Sequence, residues 1–298
     1  MPETSYIPRT IWTLWFQGLD RAPYIVRTCI ESWKRHHPDW EIHVLDDRTL
    51  KRYVDVAPIL ERNSNTITPQ KRANIVRMNL LSQYGGVWAD ATLFCMKPLD
   101  HWLDDTATEG FFAFHKPGRD RILANWFMAA SRGNHLVRRM NEEQNRFFMD
   151  NDFDNEKRRA LVRLLDRVLS RNVYLTRFWF SSPVVKLLKV YPYYCFHYLF
   201  ADLVRKDREC RAIWDRVKRV SADGPHYLQT TGFKEPLTES VKRHIDEGLA
   251  PLYKLSWKTH PGPAVKGSNV DYLLSADPSR LVSDGCSCNG RSPGGPSC

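Results

Sequence analysis

The sequence predicts an α/β fold, and three stretches near its start predict it. Residues 7–14 are β-rich and run into a polar turn at Gln17-Gly18, the pattern of a first strand. Residues 22–36 carry Ile25, Cys29 and Trp33 at helical spacing and stop before Pro38. Residues 40–45 alternate apolar and polar until Asp46-Asp47 ends them. Strand, helix, strand in that order opens a fold built on a parallel sheet.

Residues 69–84 form the next helix, closed by Gly85-Gly86, because glycine just past a helix end supplies the left-handed cap. Residues 87–96 follow as one buried strand and residues 111–114 as another, while 125–139 read as a strand or loop entering a helix. Residues 155–171 are strongly helical. Arg159, Arg163, Arg167 and Arg171 recur there as a basic stripe, with Leu161, Leu164, Leu165 and Val168 on the buried side. Further helices are expected over 184–190, 196–204, 210–220 and 237–248. Beyond about Asp271 the chain turns rich in Ser, Gly and Pro, which predicts a frayed or disordered end. The expected organisation is one domain over 1–270, with a helical insertion at about 141–220 and a tail over 271–298.

A chain of 298 residues buries a sizeable core without staples. Its net charge of +10 suits an anionic partner: a nucleic acid, an anionic membrane surface or an anionic small substrate. The basic residues are spread along the whole chain and no nucleic-acid docking motif occurs, so nucleic acid is the least favoured of these. Seven cysteines, odd in number, scattered and without a CxxC pair, argue against a disulfide framework and for a reducing compartment. Glu3 lies early and no apolar core precedes Arg9, so the N-terminus does not read as a signal peptide. No apolar run reaches the roughly 18 residues of a spanning helix. A cytoplasmic protein is expected, soluble or peripheral to a membrane. P-loop, GxGxxG, HExxH and Gly-x-Ser-x-Gly motifs are all absent.

Asn74 and Arg77 lie three apart on one helix and so face the same way. The strand after that helix delivers Asp90 near its end, and in open α/β sheets ligands sit at the carboxyl ends of strands. An amide, a guanidinium and a carboxylate are thus expected on one rim. His197 and Asp202 fall in an aromatic helix, where a satisfied core histidine is the plainer expectation.

The segment Ile7-Pro8-Arg9-Thr10-Ile11-Trp12-Thr13-Leu14-Trp15 is similar to the opening of a broad glycosyltransferase group. Residues 70–84, followed by Gly85-Gly86-Val87-Trp88-Ala89-Asp90-Ala91-Thr92 and Lys97-Pro98-Leu99-Asp100, resemble its central block. The nearest likeness is to the capsular polysaccharide synthesis protein family, related to family 32 glycosyltransferases and distantly to clostridial glucosylating toxins. It covers about residues 6 to 260.

The resemblance implies a GT-A type fold, that is, a Rossmann-like mixed sheet flanked by helices, and an added helical region. It implies a retaining transfer from a nucleotide-sugar donor to a saccharide or lipid-linked glycan acceptor, in capsule or surface glycan synthesis. Ile11, Trp12 and Trp15 would belong to the donor side, with Trp15 stacked on the base. Arg77 would hold donor phosphate or sugar hydroxyls, with Asn74 beside it. Asp90 would hold the ribose, with Ala91 beside it on the donor side, and together with Thr92 would help bind Mn²⁺ or Mg²⁺. Ser256, Trp257 and Lys258 would close over the diphosphate, and Asn125, Trp126, Gly224 and Pro225 would face the acceptor.

Two positions depart from the group's pattern. Thr92 stands where a second acid is usual, which predicts weak metal binding, since a hydroxyl is a poorer ligand for a hard cation than a carboxylate. Asn74 stands where the group has Asp. Both departures leave open a second reading, a non-catalytic protein on a transferase-like fold that binds glycan or nucleic acid. The arginine stripe suggests peripheral contact with an anionic membrane.

Overall fold

The structure, a computed structural model, describes residues 6–62, 66–151, 153, 158–258 and 262–276. The predicted opening is present as β1 (Thr10–Leu14), α1 (Tyr24–His36) and β2 (Glu41–Leu45). The two strands are parallel, with Thr10 opposite Glu41 and Leu14 opposite Leu45. A short helix, α2 (Ala57–Arg62), leads to α3 (Pro69–Tyr84). At the start of α3 the Thr68 hydroxyl accepts from the Lys71 N–H, and Pro69 occupies the first turn, where its missing N–H costs nothing.

Among the described residues five further strands follow: β3 (Gly86–Ala89), β4 (Leu93–Cys95), β5 (Phe111–Gly118), β6 (Arg121–Ala130) and β7 (Leu252–Lys254). The main sheet runs β2-β1-β3-β6-β5, parallel through its first three strands and antiparallel beyond. It is therefore the expected mixed sheet. Gly85 and Gly86 both have positive φ, 70° and 89°. A Cβ at Gly86 would stand 2.6 Å from the Thr10 carbonyl oxygen, so glycine lets β3 slot tightly beside β1.

Residues 87–96 do not form the single strand expected. The chain leaves the main sheet at Asp90, whose N–H donates to the Trp126 carbonyl while its own carbonyl accepts from Leu93. It then enters a second, two-stranded sheet as β4, antiparallel to β7. The apolar run on both sides of the turn hides this break from periodicity.

Among the described residues eight α-helices follow β6: α4 (His135–Asp150), α5 (Arg159–Leu169), α6 (Val173–Thr176), α7 (Cys195–Lys206), α8 (Arg208–Arg216), α9 (Asp223–Thr231), α10 (Glu239–Asp246) and α11 (Asn269–Ser275). A π-helical turn over Pro183–Leu188 stands where a helix over 184–190 was expected. On α5 the buried arc is rotated from the expected one. Leu161, Val162, Leu165 and Leu169 pack against a small core around Trp179, whereas Leu164 is 58% and Val168 46% exposed. The chain also stays ordered past Asp271, because Leu273 and Leu274 of α11 bury against Val241 and Ile245 of α10. Residues 277–298, with Cys286, Cys288 and Cys298, lie outside the described residues, as does Glu3. The other four cysteines, Cys29, Cys95, Cys195 and Cys210, are buried. No helix among the described residues is long and apolar enough to cross a membrane.

Candidate functional site

Because β1 and β3 are parallel, their carboxyl ends open on the same rim, and a cleft of about 610 Å³ lies there. Trp15 leaves the end of β1 and Asp90 the end of β3. The Trp15 ring meets Trp257 edge-on with centroids 5.8 Å apart, so two indoles stand at the cleft's margin.

At its centre is a charged cluster. Asp90 Oδ1 accepts from Arg77 Nη2 and from Trp88 Nε1, each at 2.8 Å. Its Oδ2 accepts from Lys254 Nζ at 2.8 Å, and the same ammonium donates to Thr92 Oγ1 at 2.8 Å. Arg77 Nη1 donates to Asn74 Oδ1, which also accepts from Asn125 Nδ2 at 2.8 Å. The Arg77 guanidinium stacks over the Trp88 ring, 4.7 Å from its centroid.

The electrostatics follow from this packing. Burial alone would raise the Asp90 carboxyl, but the Lys254 and Arg77 charges and the bonds from Lys254 and Trp88 outweigh it, holding the group below the usual carboxylate value. Burial draws Arg77 below its ordinary value, opposed by Asp90. One carboxylate facing two cations leaves a positive surplus, so the cleft is built to receive an anion.

The structure brings Trp15, Asn74, Arg77, Asp90, Ala91, Thr92, Asn125, Ser256, Trp257 and Lys258 to this cleft. Five expected residues lie elsewhere. Ile11 is fully buried in the core. Trp12 stacks on His43 at 4.4 Å and donates from Nε1 to the Gly85 carbonyl, so its ring braces the glycine turn. Trp126 packs on Phe114 and His226, with centroids 5.1 and 5.3 Å away. Gly224 and Pro225 sit in the first turn of α9, where Gly224 faces Ala250 and Pro225 is buried. Motif position placed these five, but strand alternation and helix packing turn them inward.

The cleft also holds residues that the sequence did not single out. Lys254 comes from β7, and its pairing opposite Leu93 brings it beside Thr92. Lys71, Tyr193, Tyr194 and Gln229 line the walls. His197 was expected to be a satisfied core residue. It lines the cleft instead, 6% exposed, and its Nδ1 is buried without a hydrogen-bond partner among the described residues. Burial, with Arg121 and Arg77 nearby, holds this imidazole well below its ordinary value and therefore neutral. Leu252 and Tyr253 carry a weak strand signal, but three residues are too few to stand out.

The two residues expected to ligate a divalent cation, Asp90 and Thr92, share the Lys254 ammonium instead. Among the described residues, the one group of His, Cys and acidic side chains close enough to share an ion is His135, Asp207 and Cys210. It lies outside the cleft, and Asp207 is already committed to capping α8 and to Arg139.

An α/β domain with a cationic cleft at the carboxyl ends of its parallel strands belongs to the broad class that receives anionic ligands there. Residues 2–154 match the family described as capsular polysaccharide synthesis protein, and the chain belongs to that family. It is 32% identical over 157 residues to an O-glycosyltransferase of Annulohypoxylon truncatum, across 46% of this chain and 37% of the relative. It is 28% identical over 159 residues to a glycosyltransferase of Aspergillus fumigatus, across 47% and 41%. With an initiation-specific alpha-1,6-mannosyltransferase of Candida albicans it shares 24% identity over 112 residues, across 35% and 29%. The matched stretches thus span less than half of each relative. Among solved structures, the PaToxG glycosyltransferase aligns over 83% of this chain and 89% of its own, at 14% identity and a TM-score of 0.38.

Proposed function

We propose that the protein transfers a sugar from a nucleotide-sugar donor to an acceptor hydroxyl, with the donor lying in the cleft around Asp90. The observation that carries this reading is the cluster at the end of β3, where Arg77 and Lys254 flank one carboxylate in a cleft that the indoles of Trp15 and Trp257 also line. As the glycosidic bond breaks, charge develops on the departing diphosphate, and fixed cations in a partly dry cleft stabilise it. An indole face suits a nucleobase. Membership of the family, and relatives named as glycosyltransferases, support the same reading.

Asp90 holds both cations in place. Asn74 fixes the Arg77 fork from the other side and links it to Asn125, on the side where an acceptor would enter. Among the described cleft residues the one carboxylate is Asp90, bonded by three donors. That suits a retaining transfer in which no carboxylate takes the acceptor proton.

The acceptor class proposed is a saccharide or lipid-linked glycan of a capsule or cell surface. Exposed Arg159, Arg163 and Arg167 on α5, with exposed Leu164 and Val168 beside them, fit attachment to an anionic bilayer where such acceptors reside.

The expected Mn²⁺ or Mg²⁺ does not fit this cluster as it stands. Each oxygen of Asp90 already accepts from an N–H donor, and the Thr92 hydroxyl accepts from the same ammonium as Asp90 Oδ2.

Calorimetric screening of nucleotide sugars, followed by a donor-hydrolysis assay, tests the reading. Saturable binding and slow release of nucleoside diphosphate are expected. Absence of binding by every nucleotide sugar and nucleoside diphosphate overturns it.

A further inference from the structure

We propose that Lys254 replaces the divalent cation, so that the protein binds and releases the diphosphate of its donor without a metal. The inference rests on the nucleotide-sugar reading and deepens it.

The first argument is position. A metal held by the side chains at 90 and 92 would lie between Asp90 Oδ2 and Thr92 Oγ1. Lys254 Nζ lies there, 2.8 Å from each.

The second is anchorage. β7 pairs with β4 so that Lys254 is opposite Leu93, and the Leu255 N–H donates to the Thr92 carbonyl at 2.9 Å. The backbone at Lys254 and Leu255 is thus fastened to the end of the 90–92 turn, and the Lys254 side chain is 17% exposed. The ammonium is thus part of the wall and not a surface chain that swings in.

The third is charge. A site for a hard dication gathers anionic oxygens. This one sets a single carboxylate against a guanidinium and an ammonium, both within salt-bridge distance. A dication added to that surplus would be repelled, whereas a diphosphate would neutralise it.

The fourth is valence. An ammonium has three N–H donors. Among the described residues two go to Asp90 and Thr92, leaving the third for a phosphate oxygen in the cleft.

In the transfer, the bond between the anomeric carbon and the diphosphate oxygen breaks, and its electron pair stays on that oxygen. The acceptor oxygen bonds the anomeric carbon and gives up its proton, which the departing diphosphate takes. Lys254 and Arg77 stabilise the charge on that oxygen, the task otherwise given to a metal.

The test uses UDP and GDP as probes of the full chain, by calorimetry in EDTA and in Mn²⁺. Affinity is expected to be equal in both to within about twofold. A fall of about tenfold or more in EDTA overturns the inference while leaving the nucleotide reading intact. Failure of both probes in both buffers removes the reading itself.

Lys254→Met keeps the length of the side chain and removes its charge. It should weaken diphosphate binding in EDTA by about 10- to 100-fold, as loss of a charge-assisted bond does. Uridine and guanosine, which lack phosphate, should bind as they do to the wild type, and Lys254→Arg should restore most of the loss. Undiminished UDP and GDP binding by Lys254→Met overturns the inference. If that variant fails to fold, the EDTA comparison on the wild type and the Lys254→Arg titration still decide it.

Discussion

Arg77 and Asp90 are thirteen residues apart in the chain and 2.8 Å apart in space, one from the buried face of α3 and one from the end of β3. The side chain of Arg77 is 3% exposed, so its charge depends on that carboxylate. Asp90→Asn keeps the shape and removes the counter-charge. Loss of one partner of a buried pair costs about 3–5 kcal/mol, and loss of a preorganised charge slows turnover by about 10²-fold or more. Urea melts and donor turnover read the two effects separately. Wild-type turnover in Asp90→Asn would remove this residue from the chemistry.

Among the described residues Trp15 Nε1 has no hydrogen-bond partner, though it is buried, and its ring lines the cleft. Trp15→Ala should weaken UDP or GDP binding by about 1–3 kcal/mol if the ring stacks on the base. Calorimetry with the nucleosides alone should show the same loss, because stacking does not involve the phosphates. Unchanged affinities would make Trp15 a packing residue.

The exposed face of α5 sets arginines next to Leu164 and Val168. Each basic residue near anionic lipid contributes about 1 kcal/mol, so four give reversible attachment that weakens as salt screens it. Sedimentation with anionic vesicles is expected for the wild type, and not with neutral ones. Replacing Arg159, Arg163, Arg167 and Arg171 with glutamate should release the protein without altering transfer to a soluble acceptor. Equal sedimentation of the reversed protein would leave the stripe a solvated face.

Asp46, in the turn after β2, accepts from the Thr49 backbone and hydroxyl and from Arg48. Those bonds, Thr49's first, hold its carboxyl down to about 2 from an ordinary 3.8. A depressed folded value means stability that is present above 3.8 and lost as pH falls toward 2. The stability gap between wild type and Asp46→Asn should therefore be full at about pH 5 and close by about pH 2. A gap that stays constant across that range would assign it to shape rather than charge.

The opening strand, helix and strand, and α3 with its glycine cap, were legible because each combines periodicity with a terminator: Pro38, Asp46-Asp47, Gly85-Gly86. The break at Asp90 was not, since apolar residues continue on both sides while the chain changes sheets. Asn74, Arg77 and Asp90 were found together because helix spacing and a strand end suffice to bring them to one rim. Lys254 was missed for the opposite reason: its place depends on a pairing between distant short strands that no local pattern announces. Trp12 and Trp126 show a related difficulty. A motif tells which residues recur, but the pleat decides which face they take.

Lys254 meets Asp90 across 164 residues of chain, while the stretch that defines the family stops at residue 154. The match to the family thus takes in the carboxylate and not the ammonium that answers it. The pairing of β4 with β7 puts a strand three residues long in charge of that ammonium, so a substitution at Lys254 would change the cleft's charge while Asn74, Arg77 and Asp90 keep their places.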